Sequence, residues 1–166
     1  MNREDMYDTT YKRLLQYFPE KPWQEAILKL GSNPPIHRLG ENLISYGLYL
    51  CESKRFDEYD EYDRNAVADA ILYSEKLMDF YDELHENKKN PFKSRWKAVF
   101  YVANDMRALT FEIFVYYSLQ SYDWSVESKD DSTSGETYDY LASRKDNVVQ
   151  VECKSFAYNK GLLINA

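Results

Sequence analysis

Cysteine is scarce in this sequence. Cys51 and Cys153 are the only two and lie far apart, which excludes a disulfide framework and offers no zinc-ligand spacing. Histidine is equally rare. His37 and His85 have no ligand partners at useful spacing, so packing or surface roles are expected of both. No apolar run approaches the ~18 residues needed to span a bilayer. The opening Met1-Asn2-Arg3-Glu4-Asp5 is too polar for a secretory leader. The expected setting is therefore soluble, reducing and cytoplasmic, with no membrane partner.

Positive charge is also in short supply. A formal net charge of −7 argues against simple wrapping of nucleic acid, because phosphate contacts need Lys and Arg. The deficit is uneven, however. From residue 93 onward there are nine Lys/Arg against ten Asp/Glu, whereas residues 1–92 hold twelve against eighteen. The acidity belongs to the first part of the chain.

What is present suffices for a core. Apolar residues make up 44% of 166, enough for one domain or a small domain with a helical extension. The first ninety residues read as helix. Pro22 suits the first turn of a short helix carrying Trp23, Ile27 and Leu28, and Gly31-Ser32-Asn33-Pro34-Pro35 is a break. Leu43, Ile44, Gly47, Leu48 and Cys51 recur at helical spacing, as do Val67, Ala70, Ile71, Ser74, Leu77, Met78, Tyr81 and Leu84. The acidic run Asp57 to Asp63 reads as a solvated helix start. The sixteen tyrosines mostly fall among apolar residues or beside acids, which favours packing or partner binding over base stacking.

Asn90-Pro91 predicts a new helix start, followed by one long helix from about Ser94 to Gln120. Toward its end Phe111, Val115 and Tyr116 make it apolar on nearly every side, as expected of a helix buried against a sheet. Three short strands follow, predicted at Tyr122–Glu127, Tyr138–Ala142 and Val148–Lys154, the last two joined by the Lys145-Asp146-Asn147 turn. The fold class expected is α+β: a helical region over 1–90, then a helix with a mainly antiparallel meander over 91–166.

One constellation has chemical use. Alternation on the third strand sends Glu152 and Lys154 to one face, and Val149, Val151 and Cys153 to the other, buried face. Asp139 lies on the preceding strand, where hairpin pairing brings it near Glu152. Two carboxylates and a backbone carbonyl suit a hard divalent cation such as Mg²⁺ or Mn²⁺. A nearby ammonium can orient or deprotonate an attacking water, or stabilise charge on phosphorus. The tripeptide alone is weak, since Glu52-Ser53-Lys54 and Glu127-Ser128-Lys129 repeat it. The first lies in helical surroundings. The second lacks an acid on a preceding strand. Glu136 near the strand entry reads as loop.

With that context, Pro91 to Phe156 resembles the PD-(D/E)XK nuclease superfamily, whose core runs helix, three strands, helix, strand. Asp139 matches the motif aspartate, Glu152-Cys153-Lys154 matches (D/E)XK, and Tyr138 stands where the family has proline. The resemblance implies metal held by Asp139, Glu152 and the Cys153 carbonyl, Lys154 as the catalytic cation, and Glu112 as an accessory acid from the preceding helix. It also implies hydrolysis of nucleic acid, usually DNA, in a setting such as defence or repair. The family's closing helix and fourth strand do not fit in the 12 residues after Lys154. Either further polypeptide or a partner chain, such as a second copy, is expected to complete the core, or the core is shortened. The competing expectation is an acidic, tyrosine-rich interaction or regulatory module without catalysis.

Overall fold

The computed structural model describes residues 3–32, 34–103, 107–129 and 139–154. They form N-terminal helices followed by one more helix and a three-stranded antiparallel sheet, an α+β arrangement. The helices are α1 (Arg3–Tyr17), α2 (Pro22–Leu28), α3 (Ile36–Glu41), α4 (Leu43–Ser53), α5 (Glu61–Glu83), α6 (Glu86–Ala98) and α7 (Arg107–Ser121). A 3-10 turn covers Phe56–Glu58 and a π-helical turn Val99–Ala103. The strands are β1 (Ser125–Ser128), β2 (Tyr140–Arg144) and β3 (Asn147–Val151). Two compact units result, Met1–Met106 and Arg107–Ala166. No helix among the described residues is long and apolar enough to cross a membrane.

In the first unit the periodic residues do what their spacing predicts. Val67, Ala70, Ile71, Ser74, Leu77 and Met78 of α5 are all buried, and so are Leu14 of α1 and Leu48 of α4. Burying each large apolar side chain contributes roughly 1.5–3 kcal/mol. Pro22 opens α2, where its missing N–H costs nothing. An aromatic cluster closes the core: Phe18 meets Trp96 edge-on at 4.8 Å between centroids, and Phe100 lies 6.0 Å from Phe18 and 5.7 Å from Trp23. Offset and edge contacts of this kind are the favoured aromatic geometries.

That cluster draws in more of the chain than the spacing alone predicts. Within the span predicted as one helix from Ser94 to Gln120, α6 ends at Ala98, a π-helical turn covers Val99–Ala103 and α7 begins at Arg107. Trp96 and Phe100 are held by Phe18 and Trp23, so α6 belongs with the first unit. The first compact unit accordingly runs past Asn90 to Met106. Pro91 does not begin a helix. It lies inside α6, which starts at Glu86.

The acidic run differs as well. Asp57 and Glu58 are in the 3-10 turn, and Asp60 caps α5 by accepting from the Asp63 N–H at 2.8 Å. Asp63 is not solvated but only 3% exposed. It accepts from the Tyr46 hydroxyl at 2.7 Å and pairs with Lys54 at 2.5 Å. Burial pushes its pKa up, but the Lys54 and Tyr46 hydrogen bonds outweigh this and hold it below the usual aspartate value. A depressed folded-state pKa stabilises the fold above the unfolded pKa of ~3.9, and the gain disappears as pH falls through the folded value. Asp63→Ala is therefore expected to cost about 2 kcal/mol in urea unfolding at neutral pH, as for loss of hydrogen bonds to a charged group. The difference from wild type should shrink below pH ~4. A gap that stays constant down to pH ~3 would contradict this account.

Candidate metal centre

In the second unit β2 lies between β1 and β3. Tyr140 and Ala142 of β2 are buried, and the Tyr140 ring meets Tyr116 of α7 at 5.7 Å between centroids. That contact identifies the covered face of the sheet. Cross-strand pairing of Tyr140 with Val151, and of Ala142 with Val149, assigns both valines to the same face. Val149 nevertheless remains 40% exposed, contrary to the buried position expected of it, because β3 is an edge strand and its outer side has no described neighbour.

The strand predicted to reach Lys154 ends at Val151. The reason lies in Asp139. Its N–H bonds at 3.0 Å to the carbonyl of Val151, the residue already paired with Tyr140. Two residues of one strand thus face one of the other, the signature of a β-bulge, which interrupts a ladder and re-aims a side chain. The Asp139 carboxylate is turned onto the next peptide and accepts from the Cys153 N–H at 2.5 Å. A side chain here takes the place of the strand carbonyl that a continued ladder would have provided.

Side-chain alternation survives the end of the ladder. Val151 and Cys153 are half-buried, whereas Glu152 and Lys154 are exposed and joined at 3.1 Å. The structure therefore brings Glu152 to Lys154, and Asp139 to the Cys153 peptide that separates them. Glu112 is half-buried on α7, one helical turn before Tyr116, on the face that meets the sheet. Glu152 and Lys154 point away from that covered face, so Glu112 could approach them only around the strand ends. Glu136, Tyr138 and the segment after Lys154 lie outside the described residues.

Two further charged residues join this surface. Glu127 pairs across β2 with Leu141, which faces Gln150, so Glu127 and Lys129 share the side of Glu152 and Lys154. Lys129 contacts Glu127 at 2.8 Å, and its backbone N–H bonds to the Asp139 carbonyl at 2.8 Å. Two Glu-x-Lys pairs therefore flank Asp139. Asp139 comes after the first pair in the chain, just ahead of β2, and meets Lys129 through its backbone carbonyl, which the local pattern does not show.

Among the described residues no three His, Cys, Asp or Glu side chains gather as a metal cluster. The set at the bulge is of another kind, with two carboxylates and the Cys153 carbonyl. All three donors are hard oxygens, and the Asp139–Cys153 hydrogen bond ties the aspartate to the peptide beside Glu152. That chemistry fits Mg²⁺ or Mn²⁺, which bind through one or two carboxylates and keep several waters. His37 is exposed in α3 and His85 is exposed at the start of α6, both in the first unit. Compared with models of protein families, with curated proteins and with solved structures, the chain matches none.

Proposed function

We propose that the C-terminal unit is a divalent-metal-dependent phosphodiesterase of the PD-(D/E)XK nuclease type, acting on nucleic acid and most naturally on DNA. The observation that carries this reading is the bulge at Asp139, which ties its carboxylate to the Cys153 peptide between the paired Glu152 and Lys154. Asp139, Glu152 and the Cys153 carbonyl would hold Mg²⁺ or Mn²⁺. When bound, such an ion polarises a phosphoryl oxygen and acidifies a coordinated water. Lys154 supplies an ammonium, 65% exposed, that can orient an attacking water and neutralise charge developing on phosphorus. The Asp139–Cys153 hydrogen bond keeps the donors together between substrate encounters. Glu112 is assigned the accessory role of holding an outer-sphere water.

The reading is tested by calorimetric titration of the chain with Mn²⁺. Saturable binding is expected in wild type and its loss in Glu152→Ala. If Mn²⁺ produces no saturable signal, or binds the variant equally well, the acidic interaction module without catalysis becomes the better description.

A further inference from the structure

The Glu127-Ser128-Lys129 motif at the end of β1 takes no part in holding a metal, yet it is built onto the same aspartate. The Lys129 N–H donates to the Asp139 carbonyl at 2.8 Å, which carries the β1–β2 pairing of Ser128 with Tyr140 one residue further. From the other flank the Cys153 N–H donates to the Asp139 carboxylate. Asp139 is therefore fixed between two chain segments, and each presents a lysine on the same face of the sheet. Adjacent strands lie ~4.8 Å apart, so the two lysines start roughly 10 Å from one another, with the aspartate between them.

The two cations differ in confinement. Lys129 is 21% exposed and Lys154 65%. A confined ammonium loses less freedom on binding, which suits a fixed contact with substrate. Each lysine is held by the glutamate two residues before it, Lys129 at 2.8 Å and Lys154 at 3.1 Å. Those glutamates are 62% and 51% exposed. Ion pairs with such wet partners are weak, so a phosphate oxygen can displace the carboxylate from either lysine. Among the described residues at the bulge, three carboxylates stand against two ammonium groups. A divalent ion on Asp139 and Glu152 turns that balance positive, as contact with a phosphate chain requires.

We propose that Lys129 is a second phosphate contact of this site, taking the phosphate next to the one attacked between Asp139, Glu152 and Lys154. The inference rests on the nuclease reading and adds a substrate requirement to it. The site takes a nucleic-acid strand with consecutive phosphates, and a lone phosphodiester leaves Lys129 unused.

The test compares the whole chain with its Lys129→Gln and Lys129→Arg variants, in Mn²⁺, on two substrates. One is a short fluorescent DNA duplex, and the other is bis(p-nitrophenyl) phosphate, whose single phosphate has no neighbour. Lys129→Gln is expected to raise the KM for the duplex about 10-fold or more, as for loss of a bond to a charged group. The effect falls mainly on KM, because the contact is made before and during the reaction alike. Its loss on the duplex should exceed any loss on the small ester by the same factor, and Lys129→Arg should restore most of it. Fluorescence anisotropy with Ca²⁺, which prefers the same oxygen donors, should show the same weakening of duplex binding without turnover. Calorimetric Mn²⁺ binding should be kept in Lys129→Gln. Duplex KM and affinity equal to wild type overturn the proposal and leave the nuclease reading standing. Equal losses on both substrates, or loss of Mn²⁺ binding, overturn it as well and make Lys129 a support for Asp139. A wild type that binds no Mn²⁺ and cleaves neither substrate removes the nuclease reading, and the proposal with it.

Discussion

Asp139→Asn is expected to lower Mg²⁺- or Mn²⁺-dependent nicking of supercoiled DNA by about 100-fold or more, with thermal stability nearly unchanged. The choice of asparagine separates two roles. Its amide oxygen can still accept from the Cys153 N–H, so the peptide after β3 keeps its partner. The negative charge that would hold the cation is gone. If Asp139 served only to finish the strand, asparagine would preserve everything. Lys154→Ala is expected to lose as much cleavage by another route. It should keep Mn²⁺ binding, because both carboxylates remain, and lose the stabilisation of charge at phosphorus. Its partner Glu152 is half-exposed, so removing the lysine leaves no buried charge behind. Equal cleavage by wild type and both variants would remove the bulge from consideration as the seat of the chemistry.

Gly47→Ala should be the most damaging change to the first unit, at about 3 kcal/mol. Gly47 is where α4 meets α5. A Cβ there would overlap the carbonyl oxygen of Ala66, stand 2.6 Å from its carbonyl carbon and 2.7 Å from the Ala70 Cβ. The obstacle is helix backbone, which cannot swing aside as a side-chain tip would. Alanine's better helix propensity returns about 1 kcal/mol, less than the cost of prising the helices apart over Leu48, Val67 and Ile71. A fall in melting temperature of more than ~10 °C is expected for a unit of this size. Melting within ~2 °C of wild type would show that the helices can separate cheaply.

Much of this architecture was legible in the sequence because it depends on local signals. The period of Val67 to Met78, the proline opening α2 and the order of helix before strands all follow from short-range chemistry. What escaped depends on partners distant in the chain. Residues 94 to 120 keep helical spacing throughout, and nothing local says that Trp96 and Phe100 will be claimed by Phe18 and Trp23. Likewise Val151 to Lys154 alternate as a strand does, so the pattern is right while the ladder has ended. The cause is a hydrogen bond from Cys153 back to Asp139, which no window of sequence contains. Residue types and order alone point to Asp139, Glu152 and Lys154. The bulge that ties Asp139 to the Cys153 peptide, and the second Glu-x-Lys pair beside it, needed three dimensions.

The distribution of the three indoles decides what a fluorescence experiment on this protein can see. Trp23 and Trp96 are fully buried in the first unit, and Trp124, half-buried, is the sole indole of the second. Emission will be dominated by the helical part and will follow its melting, with the β-strands contributing through a single, partly wetted reporter. An optically normal Asp139 variant could therefore carry a damaged sheet unnoticed. Replacing Trp23 and Trp96 with phenylalanine would leave Trp124 as the one indole, so that emission follows the strand-bearing half alone, at some loss of packing in the helical half.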